Sequence, residues 1–129
     1  MAAGCILVVD DDASLRRALQ RVVRSLDIDC ELSPSGDDML ARLQALNPAF
    51  VLLDIHMPER SGLETLTAMR SRGFDVPTVM MTGVEIEGTR EACLSAGAVD
   101  MICKPIDAVT ISQFYDQLAR WRSTDSGQG

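Results

Sequence analysis

The sequence predicts an α/β fold, a doubly wound sheet of five parallel strands with five helices. Three observations predict it. Short apolar runs alternate with stretches of helical periodicity, turn and cap residues punctuate the boundaries, and four of the runs end in a polar residue. Parallel strands need right-handed crossovers, which place helices on both faces of the sheet. The chain has 129 residues, the length of one domain. With 47% hydrophobic but only 4% aromatic residues, its core must be built from Leu, Val, Ile, Ala and Met.

The first strand is Ile6-Leu7-Val8-Val9, before Asp10-Asp11-Asp12. Leu15, Ala18, Leu19, Val22, Val23 and Leu26 then form one apolar helical stripe, with Arg16, Arg17, Arg21 and Arg24 on the outer face. A short strand around Cys30 to Leu32 breaks at Ser33-Pro34-Ser35-Gly36. Ser35 and Asp38 have the spacing of a capping box for a second helix, which carries Met39, Leu40, Leu43 and Leu46 and stops near Asn47-Pro48.

Phe50-Val51-Leu52-Leu53 forms the third strand, ending at Asp54. The next helix opens at Ser61-Gly62-Leu63-Glu64, where Ser61 caps and Glu64 reaches back; Leu63, Leu66 and Met69 face inward and Gly73 ends it. Pro77 leads into Val79-Met80-Met81, before Thr82. A polar, weakly amphipathic helix is expected over Glu85 to Ser95, closed by Gly97 as a left-handed cap, and it should be the most mobile. Met101-Ile102-Cys103 forms the fifth strand, before Lys104-Pro105. The last helix, capped by Asp107, places Ile111, Phe114, Leu118 and Trp121 on one face. Residues 4–122 therefore form the domain, and 123–129 read as a flexible tail or the start of a linker.

Composition excludes several classes. A formal charge of −7 argues against a nucleic-acid surface, which needs clustered Lys and Arg. The arginine face of the first helix reads as a solvated or protein-docking surface. Cys5, Cys30, Cys93 and Cys103 are scattered, with no CxxC pair, so thiolate metal binding is not expected and core packing is. No apolar stretch approaches a membrane span and no signal segment follows Met1, which predicts a cytoplasmic protein that contacts no membrane.

Ligands of parallel sheets bind at the carboxyl ends of the strands. Asp10-Asp11-Asp12, Asp54, Thr82 and Lys104 should therefore meet at one rim. Each has an ordinary explanation when taken singly: a helix cap or turn aspartate, a β-branched strand residue, a solvated lysine. Capping accounts for one aspartate of the three, and adjacent carboxylates repel unless a cation relieves them. Magnesium favours such oxygen ligands, and Asp10, Asp11 and Asp54 suit it. A carboxylate can also serve as a phosphoryl nucleophile. Lys104 would offset the incoming negative charge, and the Thr82 hydroxyl would donate to a phosphoryl oxygen, with Gly83 leaving the approach open. A cis bond at Pro105 would form a tight turn that aims the lysine inward.

These segments resemble a response-regulator receiver domain of two-component signalling. The match runs from about Cys5 to about Arg122 and rests on Val8-Val9-Asp10-Asp11, Leu52-Leu53-Asp54-Ile55-His56-Met57-Pro58 followed by Gly62, Met81-Thr82-Gly83, and Ala96-Gly97-Ala98 leading to Lys104-Pro105. The resemblance implies a flavodoxin-like sheet of strand order 2-1-3-4-5. It also implies Asp54 as phosphoacceptor, Mg2+ held by Asp10, Asp11, Asp54 and the His56 backbone carbonyl, and Thr82 and Lys104 on the phosphoryl group. The His56 side chain is then incidental. One position departs from the family: three residues before the lysine, where an aromatic switch residue is common, stands Met101. Methionine can still change packing, but it cannot make a tyrosine-type polar contact.

As the resemblance implies, a sensor histidine kinase or phosphotransfer protein supplies the phosphoryl group. The changed Thr82 and Lys104 contacts then alter the surface of the fourth helix, fifth strand and fifth helix, toward a partner or a second receiver. Two rivals share parts of the pattern. An aspartyl-phosphate phosphatase usually has a second acid two residues after its nucleophile, which Asp54-Ile55-His56 lacks and Asp10-Asp11-Asp12 retains. A flavodoxin-like cofactor module would need a hydroxyl- and glycine-rich phosphate loop after the first strand, where this chain has acids.

Overall fold

The computed structural model describes the backbone of residues 4–128 and the side chains of residues 4–118. Five helices and five strands alternate: β1 (Ile6–Val9), α1 (Ala13–Ser25), β2 (Cys30–Ser33), α2 (Gly36–Leu46), β3 (Phe50–Asp54), α3 (Gly62–Ser71), β4 (Thr78–Thr82), α4 (Thr89–Ser95), β5 (Asp100–Cys103) and α5 (Ala108–Gln128). All strand pairs are parallel, in the order β2-β1-β3-β4-β5.

The period-2 alternation of the strands splits the core into two layers. Leu7, Val9, Val51, Leu53 and Met80 pack against Met39, Leu40 and Leu43 of α2, Leu66 and Met69 of α3, and Cys93 of α4. Ile6, Val8, Phe50, Leu52, Val79 and Met81 pack against Leu19 and Val23 of α1 and Ile111 and Leu118 of α5. Phe114 lies against the second layer, its ring 6.4 Å from that of Phe50. The side chain of Trp121 lies outside the described residues. Successive strands are added leftward from β1 to β2 and rightward from β3 to β5, so the strand order reverses between β1 and β3, and the carboxyl ends of those two parallel strands frame a crevice. Their register pairs Val9 with Leu53, which sets Asp10 and Asp54 side by side.

Local chemistry fixes most boundaries as the residues suggest. Ser61 and Glu64 form both bonds of the capping box on α3, Asp107 accepts from the Thr110 N–H at 2.8 Å, and Gly97 (φ +108°) and Gly73 (φ +87°) take the left-handed conformation. The Lys104-Pro105 peptide is cis.

Four expectations need correction. On α2, Ser35 caps the Asp38 N–H, but the shorter Asp38 side chain bonds Ser33 Oγ at 2.7 Å and Arg42 at 3.0 Å, not the Ser35 backbone. α4 begins at Thr89 and not at Glu85, because Gly88 at φ +88° and the Thr89 N–H to Ile86 carbonyl bond turn the chain first. Ala18 is exposed at the margin of the α1 stripe. Cys103 is exposed because β5 is an edge strand; its thiol lies 3.6 Å from Glu85 Oε1. The backbone of α5 is helical to Gln128. Among the described residues no helix is long and apolar enough to cross a membrane.

Candidate functional site

Three strand ends at the carboxyl rim, those of β1, β3 and β5, bring the acids and the lysine together. Asp10 follows β1 and is 1% exposed; Asp54 ends β3 and is 3% exposed. Oxygens of Asp10, Asp11 and Asp54 lie within 4.8 Å of one another, and Asp11 is exposed at the mouth. Asp12 is the helix cap: its carboxylate accepts from the Ser14 and Leu15 N–H groups. This division of labour frees Asp10 and Asp11 to face the crevice. It also commits Asp12 to α1, so the acid pair of a phosphatase is not assembled there.

Asp10 is fixed on every side. Its Oδ1 accepts from the Asp12 N–H at 2.9 Å, its Oδ2 from Lys104 Nζ at 2.8 Å, and its backbone carbonyl from Arg16 at 2.7 Å. Lys104 Nζ also lies 3.1 Å from Asp54 Oδ1, spanning the two buried acids. The lysine is held in place by its own backbone N–H, which donates to the Thr82 carbonyl at 2.8 Å and closes the end of β5 onto β4.

The electrostatics follow from burial. Desolvation pushes the Asp54 carboxyl above its ordinary value, aided by the neighbouring Asp10 charge and opposed by Lys104 and by the His56 backbone N–H. For Lys104, burial acts to lower the ammonium, but its hydrogen bonds to Asp10 and Asp54 outweigh this and its pKa is raised. Three carboxylates against one ammonium leave the crevice with unneutralised negative charge. That donor set, all oxygen and short of cations, fits a hard divalent ion such as Mg2+.

Thr82 is fully buried, and its hydroxyl is engaged in its own loop: it donates to the Val84 carbonyl at 2.6 Å and accepts from the Val84 N–H at 3.2 Å. His56 is exposed. Met101 is 3% exposed and packs in the core layer with Met80, Cys93 and Ala98. Gly62 is a structural requirement that local patterning understates, since a Cβ there would stand 2.1 Å from the Asp54 carbonyl oxygen. Sequence reasoning also missed two arginines. Arg16 holds the Asp10 carbonyl across one turn of α1, and its position among three other arginines masks that role. Arg90 bonds the Met101 carbonyl, a pairing without local signature.

Comparison with known proteins agrees with this geometry. The family model described as the response regulator receiver domain matches residues 6–116. The chain is 35% identical over 124 residues to the response regulator MprA of Mycolicibacterium vanbaalenii, covering 96% of this chain and 54% of that protein. It is 32% identical over 120 residues to a protein-glutamate methylesterase/protein-glutamine glutaminase of Clostridium acetobutylicum, covering 89% of this chain and 34% of that one. The chain thus spans about half the length of the first relative and a third of the second. Among solved structures, the signal receiver domain of a putative Luxo repressor protein from Vibrio parahaemolyticus superposes with a TM-score of 0.89 at 21% identity, covering 99% of both chains. At that identity the likeness concerns the fold.

Proposed function

The chain belongs to the response regulator receiver domain family, and from that premise we propose that it accepts a phosphoryl group on Asp54 in a magnesium-dependent reaction. The donor is a phosphohistidine of a sensor histidine kinase or phosphotransfer protein. The observation that carries this reading is the single ammonium of Lys104 spanning Asp10 and Asp54 beside a third carboxylate, at the crevice between β1 and β3.

In the reaction an Asp54 oxygen attacks phosphorus, the bond from phosphorus to the donor nitrogen breaks, and neutral imidazole leaves after taking up a proton. Asp10, Asp11, Asp54 and the His56 backbone carbonyl would hold Mg2+, which supplies charge neutralisation for the transferring group. Lys104 then exchanges a carboxylate partner for a phosphoryl oxygen, and its charge stays at the atom where negative charge accumulates. Thr82 must give up its bond to the Val84 carbonyl to donate to the same group. Burial of Asp10 and Asp54 limits water at the acyl phosphate.

Release of Thr82 from Val84 frees the loop of residues 83–88, and with it the start of α4. The readout is a changed α4-β5-α5 surface, offered to a partner or to a second copy of the receiver. Because Met101 is already buried, this readout does not depend on an aromatic side chain moving inward. Incubation with Mg2+ and phosphoramidate followed by intact mass measurement tests the reading. One phosphoryl group is expected, absent without Mg2+ and absent in Asp54→Ala. An equal gain in Asp54→Ala would overturn it.

A further inference from the structure

α4 is the shortest helix of the fold. It has seven residues, a left-handed Gly88 at its N-cap with no side-chain cap bond, and one buried residue, Cys93. The loop that leads to it, residues 83–88, is exposed throughout. Against that weak attachment stands one concentrated link. Arg90, in the first turn of α4, reaches β5 with both terminal guanidinium nitrogens: Nη1 donates to the Met101 carbonyl at 3.0 Å and Nη2 pairs with Asp100 Oδ1. The same Asp100 oxygen accepts from the Met101 N–H at 2.8 Å. Arg90 and Asp100 therefore close a ring around the backbone of Met101 on an edge strand, satisfying both its N–H and its carbonyl.

We infer that Arg90 is a positioning residue that latches α4 to β5 and thereby holds Thr82 in its unmodified arrangement, which sets how readily Asp54 accepts a phosphoryl group. The inference rests on the function proposed above. Seven residues of chain separate Thr82 from Arg90, and the Thr82 hydroxyl is bound to the second of them, Val84. Moving Thr82 toward Asp54 carries the loop with it, and the loop ends at a helix whose first turn is fastened by Arg90. A contact that favours one of two arrangements raises the work of reaching the other by its own differential free energy, and no more. The fork geometry matters: a guanidinium satisfies a carboxylate and a carbonyl on adjacent residues at once, and an ammonium supplies the charge without that fixed pair of donors. Burial of Met101 makes the assignment specific to this chain, because the side chain that would otherwise gate this position is already packed inside.

The test uses the full chain and two readouts. In Arg90→Ala without any phosphoryl donor, amide hydrogen exchange over residues 89–95 should accelerate about threefold or more, with the central strands unchanged. With phosphoramidate and Mg2+, its rate of phosphorylation should rise about threefold. Asp100→Asn should reproduce both effects in part, the double variant should add nothing beyond Arg90→Ala, and Arg90→Lys should fall between wild type and alanine. Unchanged exchange in α4, or faster exchange with an unchanged or slower phosphorylation rate, overturns the latch. A wild-type chain that gains no phosphoryl group overturns the proposed function instead, and the exchange readout then still decides whether the latch exists.

Discussion

Lys104 Nζ lies 3.1 Å from Asp54 Oδ1 while it also holds Asp10 at 2.8 Å, so one cation stands between two carboxylates that are almost completely buried. It occupies the charge balance that Mg2+ would share. Lys104→Ala should therefore bind Mg2+ about tenfold more tightly by titration calorimetry, since a competing cation is gone. The same variant should lose about 2 kcal/mol of stability without Mg2+, toward the lower end for a broken buried pair because the lysine side chain is partly exposed. Its phosphorylation should slow about a hundredfold.

The pH dependence of stability has a definite sign. The Lys104 pKa is raised in the folded chain, so its contribution is complete below the ordinary lysine range and is lost as pH rises through the folded value. Asp54 is also raised, so its term favours folding below the ordinary carboxylate range and is lost as pH rises through its folded value. Denaturant titrations should show Asp54→Asn gaining on wild type between acidic and neutral pH. A constant difference would contradict the shift.

Gly62 and Gly83 flank the same crevice and should respond oppositely to a methyl group. At Gly62 a Cβ would meet backbone, 2.1 Å from the Asp54 carbonyl oxygen, whereas at Gly83 nothing lies within 4 Å. Gly62→Ala should cost about 3 kcal/mol and displace Asp54, seen as a lower thermal midpoint and lost phosphorylation. Gly83→Ala should leave the midpoint nearly unchanged.

Glu59 sits at φ +68° in the loop between Asp54 and α3. A non-glycine residue is strained there, so Glu59→Gly should stabilise the chain by about 1 kcal/mol, read as a higher urea midpoint at constant slope. Arg60, its neighbour, holds Asp37 at 2.9 Å and should keep the loop in register in the variant.

Thr82→Ala should cost about 1 kcal/mol from the lost Val84 bond. It should accept a phosphoryl group more slowly, and once modified it should lack any change in α4 exchange. Thr82→Ser, which keeps the hydroxyl, should restore both.

Much of this was legible in local patterns. The strand runs, the Ser61-Glu64 box and the glycine caps follow from period and hydrogen-bond geometry over a few residues, and these are the features the structure reproduces. The misjudged features each involve a competing partner. Asp38 left its capping role for Ser33 and Arg42, and α4 lost its first turn to Gly88. Cys103 reads as a core residue until the strand order puts β5 at the edge.

By itself the sequence determined the alternation of elements, the polar residue at the end of each central strand and hence the kind of chemistry the rim can perform. Only the tertiary structure decided which aspartate of the three caps α1, that Thr82 is turned onto its own loop, and that Arg90 encloses Met101. The physical reason is range. Periodicity and capping are energies between residues a few positions apart, whereas the partner of a long polar side chain is chosen among all groups the fold brings within its reach, and residues 10 and 104 meet only after the sheet has closed between them.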